Sequence, residues 1–193
     1  INFAMGVVTG IVQEFHFGMN WAEYSRFMGD IFGAPLALEA LMAFFLESTF
    51  MGVWIFGWGR LSNKAHAAVA TLVALGTNLS AFWIIVANSF MQHPVGYVIR
   101  NGRAEMENFA TIVSNGYVPG QFAHIVLNGS MTAGVIIMAI SAWHLIRKSN
   151  VDFYKTSVKW GMVITLIAGT LGAFAGHHQG QYITKEQPMK MAA

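Results

Sequence analysis

The chain has 193 residues, of which 55% are hydrophobic and 10% charged; its formal net charge is +2 and it contains no cysteine. Soluble domains carry roughly 25% charged residues, so this is the composition of an integral membrane protein. The few basic residues sit in short loops, which excludes a nucleic-acid-binding face, and the absence of cysteine excludes disulfides and thiolate chemistry within the chain.

Taken in order, apolar stretches predict an all-α helical bundle with about five transmembrane segments, at 1–18, 33–59, 67–91, 120–146 and 157–175. The first, INFAMGVVTGIVQEFHFG, reads as the end of a membrane helix of a longer protein and carries Gln13, Glu14 and His16 late in its run. Met19 to Phe32 is polar and aromatic and reads as an interfacial loop with a short helix, Trp21 and Tyr24 suiting the headgroup belt.

The second span contains two carboxylates, Glu39 and Glu47. An ionised carboxylate in lipid costs about 2.5–3.5 kcal/mol on insertion scales, so such residues face protein, water or a cofactor. In a regular helix the pair stands about 12 Å apart along the axis and about 80° apart around it. Ser48, Thr49 and a serine on a neighbouring helix are candidate bridges for stepwise proton movement. The competing structural reading is two protonated glutamates that only tie helices together.

The connection RLSNKAH leads to the third span, whose Asn78, Ser80 and Asn88 should face other helices. Val95 to Pro119 is the longest polar connection, and its portion RAEMENFATIVSN is expected to lie along the membrane surface as an amphipathic segment. In the fourth span His124 precedes Asn128 by one turn. From chemistry alone it can bridge helices, carry a proton or ligate haem iron through a ring nitrogen. After the fifth span, GHHQGQYITKEQPMKMAA (176–193) reads as the opening of an extramembrane segment, with Lys190 a solvated lysine. His177 and His178 fall at the membrane edge, and His66, His93 and His144 lie at helix ends or in loops. Arg60, Lys64, Arg147, Lys148 and Lys155 make one set of loops the more basic, hence cytoplasmic; the 176–193 tail is then external. No phosphate loop, dinucleotide fingerprint, zinc-protease motif or nucleophile elbow occurs.

Three strings carry a resemblance: GVVTGIVQEFHFGMNWAEYSRFMGDIFGAPLALEALMAFFLESTFMGVWIFGW, GTNLSAFWIIVANSFMQHPVG and GHHQGQYITKEQPMKMAA. Together they resemble subunit I of the cytochrome bd quinol oxidases over essentially the whole chain. The resemblance implies a subunit that oxidises membrane quinol and reduces dioxygen to water with cytoplasmic protons. Its cofactors would be a low-spin haem b, a high-spin haem b, and a haem d or a third haem b. It implies that His124 is the axial ligand of the low-spin haem, and that Glu39 lies beside the high-spin haems. Glu47, Ser48 and Ser80 would form the proton path, and Lys190 would contact quinol in an external loop beginning at 176. Further haem ligands are expected outside this stretch, so that this chain alone completes none of the three haem sites. Expected partners are a second large subunit, subunit II, and small membrane subunits, in a bacterial or archaeal cell membrane. The rival reading from the residues is a proton- or cation-coupled transporter using Glu39 and Glu47 with Asn78; a third is a scaffold whose haems belong to partners.

Overall fold

The computed structural model describes residues 2–192, with side chains from Met5 onward; Ile1, at the start of the first expected span, and Ala193, at the end of the expected external loop, lie outside the described residues. The elements are α1 (Asn2–Gly18), α2 (Ala22–Leu38), a π-helical turn (Glu39–Phe44), α3 (Phe45–Phe56), α4 (Asn63–Gln92), β1 (Tyr97–Arg100), β2 (Arg103–Met106), α5 (Phe109–Val113), α6 (Tyr117–Ile146), α7 (Val151–Glu186) and α8 (Pro188–Ala192). Among the described residues four helices are long and apolar enough to cross a membrane: Ala22–Phe56, Asn63–Gln92, Tyr117–Ile146 and Val151–Glu186. α1 fills the first expected span with 17 residues. The membrane bundle expected from composition is therefore the fold. The chain divides into two compact units, Ile1–Asn115 and Gly116–Ala193.

Several boundaries differ from the sequence reading, each for a local reason. The expected interfacial loop at 19–32 is mostly helix: a short turn after α1 gives way to α2 at Ala22, which runs on through the π turn and α3 as one 35-residue helix. Glu23, Arg26 and Asp30 recur at helical spacing, so the polarity that suggests a loop is one stripe of a helix. The third span begins earlier than expected because Ser62 caps it, its Oγ accepting from Ala65 N–H at 3.3 Å. The fifth continues past Ala175 to Glu186, since polar residues do not end a helix and the first strong breaker is Pro188.

The stretch 103–115, expected as an amphipathic surface segment, is not one continuous helix. Residues 97–106 form an antiparallel hairpin, Tyr97 pairing Met106 and Arg100 pairing Arg103. Asn101 and Gly102 have φ of 50° and 71°, the left-handed pair that a two-residue turn of matching twist requires, and only the short α5 follows as helix. The hairpin is tied to α2: Met106 N–H donates to Asp30 Oδ2 at 2.7 Å and Arg103 Nε–H to Arg26 O at 3.0 Å. Asn115 closes the end of α4, its Nδ2 donating to Ser89 O and His93 O.

In the second unit α6 and α7 pack along glycines. A Cβ at Gly134 would lie 2.8 Å from Gly161 O, and one at Gly161 would lie 2.9 Å from Gly134 O. Only small residues permit backbones to approach this closely, a common device between membrane helices.

Candidate functional site

Pro35 lacks the N–H that would satisfy the carbonyl one turn before it, and four residues later the helix widens into the π turn, with Phe45 N–H bonding Ala40 O five residues back. The widened turn accommodates one extra residue. Over the eight residues from Glu39 to Glu47 this reduces the regular-helix angular separation from about 80° to about 20°. The two carboxylates thus share one face, more closely than a regular helix allows, and both line the same cavity.

Each carboxylate meets a hydroxyl of α4. Ser80 Oγ donates to Glu39 Oε1 at 2.6 Å, and Thr77 Oγ1 donates to Glu47 Oε1 at 2.6 Å. Both are as short as charge-assisted O–H···O⁻ bonds. Thr77 and Ser80 are i, i+3 neighbours, so their Cβ atoms stand about 5–6 Å apart on one face. Glu47 is 6% exposed, and the backbone behind it is fixed by close packing: a Cβ at Gly76 would lie 3.1 Å from Glu47 Cα. Ser48, a candidate bridge, turns to its own helix instead, its hydroxyl donating to Phe45 O at 3.3 Å. Thr77 escaped the sequence reading, although its three-residue spacing from Ser80 carried the signal.

The cavity has a volume of about 1050 Å³ and lies wholly within the first unit, between residues 6 and 91. Its polar lining includes Gln13, Glu14, Glu39, Glu47, Ser80 and Asn88; among the described residues no lysine, arginine or histidine lines it, and the remaining walls are largely apolar and aromatic. Its volume is that of a site for a large organic group. Tyr24 also lines it, with a buried hydroxyl that has no hydrogen-bond partner, an orphan that a bound group or water would satisfy.

In the second unit His124 packs against α7. A Cβ at Gly176 would lie 2.9 Å from His124 Cε1, so the glycine makes room for the ring. Nδ1 lies 3.3 Å from Gly172 O, and Asn128 Nδ2 lies 3.0 Å from Nε2 and 2.8 Å from His124 O. With Nδ1–H donating to the carbonyl, Nε2 presents its lone pair, the arrangement that orients a metal-ligating histidine. Asn128 now uses that lone pair and would have to yield it. Among the described residues no group of three or more His, Cys, Asp or Glu could hold a metal ion, whereas haem needs a single axial donor from a given helix.

The other singled-out residues have structural settings. His66 Nε2–H donates to Trp54 O at 2.9 Å, and the ring sits against the rings of Trp54 and Trp58. His16 pairs with Asn20, His177 with Gln181, and His144 stacks on Tyr154. Lys190 lies in α8, its backbone N–H bonded to Gln187 O.

These features define a multi-pass helical membrane protein with paired carboxylates inside its bundle. The chain belongs to the cytochrome bd terminal oxidase subunit I family, whose model matches residues 1–193. It is 53% identical over 193 residues to cytochrome bd ubiquinol oxidase subunit 1 of Bacillus subtilis (strain 168), covering 100% of this chain and 41% of that protein. It is 48% identical over 197 residues to cytochrome bd-II ubiquinol oxidase subunit 1 of Escherichia coli (strain K12), covering 100% of this chain and 38% of the relative. Among solved structures, bd oxidase from Geobacillus thermodenitrificans superposes with a TM-score of 0.90 at 29% identity, over 98% of this chain and 44% of that one. The chain therefore spans about two fifths of the length of the curated relatives it matches.

Proposed function

We propose that the chain is part of the haem-bearing subunit of a terminal respiratory oxidase, which oxidises membrane quinol and reduces dioxygen to water with protons taken from the cytoplasm. The observation that carries this reading is the pair of carboxylate–hydroxyl contacts, Glu39 with Ser80 and Glu47 with Thr77, on a helix face that lines a large apolar cavity. The activity is that of a quinol:dioxygen oxidoreductase in the cell membrane of a bacterium or archaeon. Its partners are subunit II and small membrane subunits.

Haem, when bound, carries the electrons and binds the dioxygen. The chain's own residues do the rest. His124 would offer Nε2 to the low-spin haem b, with Nδ1–H donating to Gly172 O to hold that tautomer. The cavity beside Glu39 would hold part of the high-spin pair, a haem b with a haem d or third haem b, together with residues from elsewhere in the full protein. Glu47 and Glu39 hold and release protons; Ser80 orients the Glu39 carboxylate by its hydrogen bond. The basic α3–α4 connection marks the cytoplasmic end, so Glu47 receives protons before Glu39. Lys190 contacts quinol in the external region that starts at 176.

The test is the reduced-minus-oxidised visible spectrum of the native complex containing the full-length subunit, with oxygen consumption of a Glu47→Gln variant. Bands of b haem, with or without a far-red chlorin band, and turnover at least about tenfold slower in the variant are expected. A colourless complex would overturn the oxidase reading in favour of a transporter. Unchanged turnover in the variant would remove Glu47 from the path.

A further inference from the structure

We propose that Thr77 is the hydroxyl that serves Glu47 in both of its protonation states and relays protons to it, a role that deepens and rests on the proton-path reading above. Thr77 Oγ1 has two acceptors in reach, Glu47 Oε1 at 2.6 Å and Val73 O at 3.1 Å. A hydroxyl has one proton to donate and two lone pairs to accept with. When Glu47 is ionised, Thr77 gives it that proton as a short, charge-assisted hydrogen bond. When Glu47 is protonated, its own O–H donates to Thr77 Oγ1, and Thr77 turns its proton to Val73 O. In both states Glu47 Oε1 keeps Thr77 Oγ1 as its hydrogen-bond partner, so Glu47 can change charge without the helices moving apart.

The same geometry permits transfer. A proton arriving from water at Thr77 Oγ1, as the threonine's own proton passes to Glu47 Oε1, leaves a neutral hydroxyl and a carboxylic acid; no electron moves and no other bond breaks. Ser48 Oγ donates to Phe45 O on its own helix, whereas Thr77 Oγ1 reaches Glu47 from the neighbouring helix. The neighbouring Gly76 holds the relay in register. A Cβ there would meet Leu46 Cδ2 at 2.8 Å and Glu47 Cβ at 3.1 Å, so the α3 backbone sits directly against α4 at the residue before Thr77.

The experiment uses the intact oxidase complex with Thr77→Val, which keeps the shape and removes the hydroxyl, and Thr77→Ser, which keeps the hydroxyl. Thr71→Val serves as a control for the same change on the same helix, since Thr71 bonds only its own backbone at Ala67 O. Turnover and the infrared carbonyl stretch of protonated Glu47, identified by its loss in Glu47→Gln, are the two readouts. Thr77→Val should slow turnover roughly ten- to hundredfold and shift the Glu47 band, while Thr77→Ser restores both. An unchanged band in Thr77→Val, or equal losses in the Val and Ser variants, would overturn the role of the hydroxyl. Full turnover in Glu47→Gln would instead sink the proton-path reading, leaving the band shift to report the hydrogen bond alone.

Discussion

Ser80 Oγ reaches Glu39 Oε1 across two helices at 2.6 Å, one helical turn along α4 from the Thr77–Glu47 contact. Two carboxylates whose backbones are about 12 Å apart in a regular helix are met by hydroxyls only one turn apart. Ser80→Ala should leave Glu39 without that donor, a loss of about 1.5–3 kcal/mol for a charged acceptor, and slow turnover by at least about tenfold. Oxygen consumption by the intact complex measures it; parent-like rates would take Ser80 out of the path.

At Gly76 two effects oppose each other. Alanine is favoured over glycine in a helix interior by about 1 kcal/mol, but the added Cβ would sit 2.8 Å from Leu46 Cδ2 and 3.1 Å from Glu47 Cα. Leu46 can swing aside and the α3 backbone cannot, so overpacking of about 1–3 kcal/mol should prevail. Gly76→Ala is expected to lower the thermal midpoint of the complex; a rise would show that α3 yields easily.

His124→Ala should abolish the low-spin b spectrum. Gly176→Ala is the graded version, because its Cβ would lie 2.9 Å from His124 Cε1 and 3.2 Å from Nδ1. It should shift or broaden the same band while retaining it. A normal spectrum in His124→Ala would refute the ligand assignment.

His66 bridges the end of α3 to the start of α4 through Trp54 O and the rings of Trp54 and Trp58, the latter with centroids 4.4 Å apart. Replacement by alanine removes a hydrogen bond and an aromatic contact, together about 1–3 kcal/mol. Thermal unfolding of the complex should show the loss with turnover below the transition unaffected.

Asp30 receives Met106 N–H at 2.7 Å and Arg103 bonds Arg26 O, so the hairpin rests on two ties to α2. Asp30→Ala should raise amide exchange of residues 97–106, read by hydrogen–deuterium exchange of the full complex. Unchanged protection would mean that the hairpin's own ladder suffices.

Composition and hydropathy establish the membrane class, the apolar spans and two intramembrane carboxylates, because burying charge in lipid is costly enough to make any Glu there conspicuous. Hydropathy also exposes Ser80 and His124 as polar residues within apolar spans, their roles being implied by the family resemblance, and Asn101-Gly102 after Tyr97-Val98-Ile99 carries a hairpin signal. What depends on close approach between helices emerges from the packing. The π turn after Pro35 rotates Glu39 and Glu47 toward one face, a change no regular periodicity reveals. The contact at Gly76 fixes the position of Glu47, and the choice of Thr77 over Ser48 as its partner follows from which hydroxyl faces the neighbouring helix. The ends of α2 and α7 were illegible for a related reason: polar residues mark where a helix leaves an apolar environment, whereas the helix itself ends only where the backbone loses its hydrogen bonds.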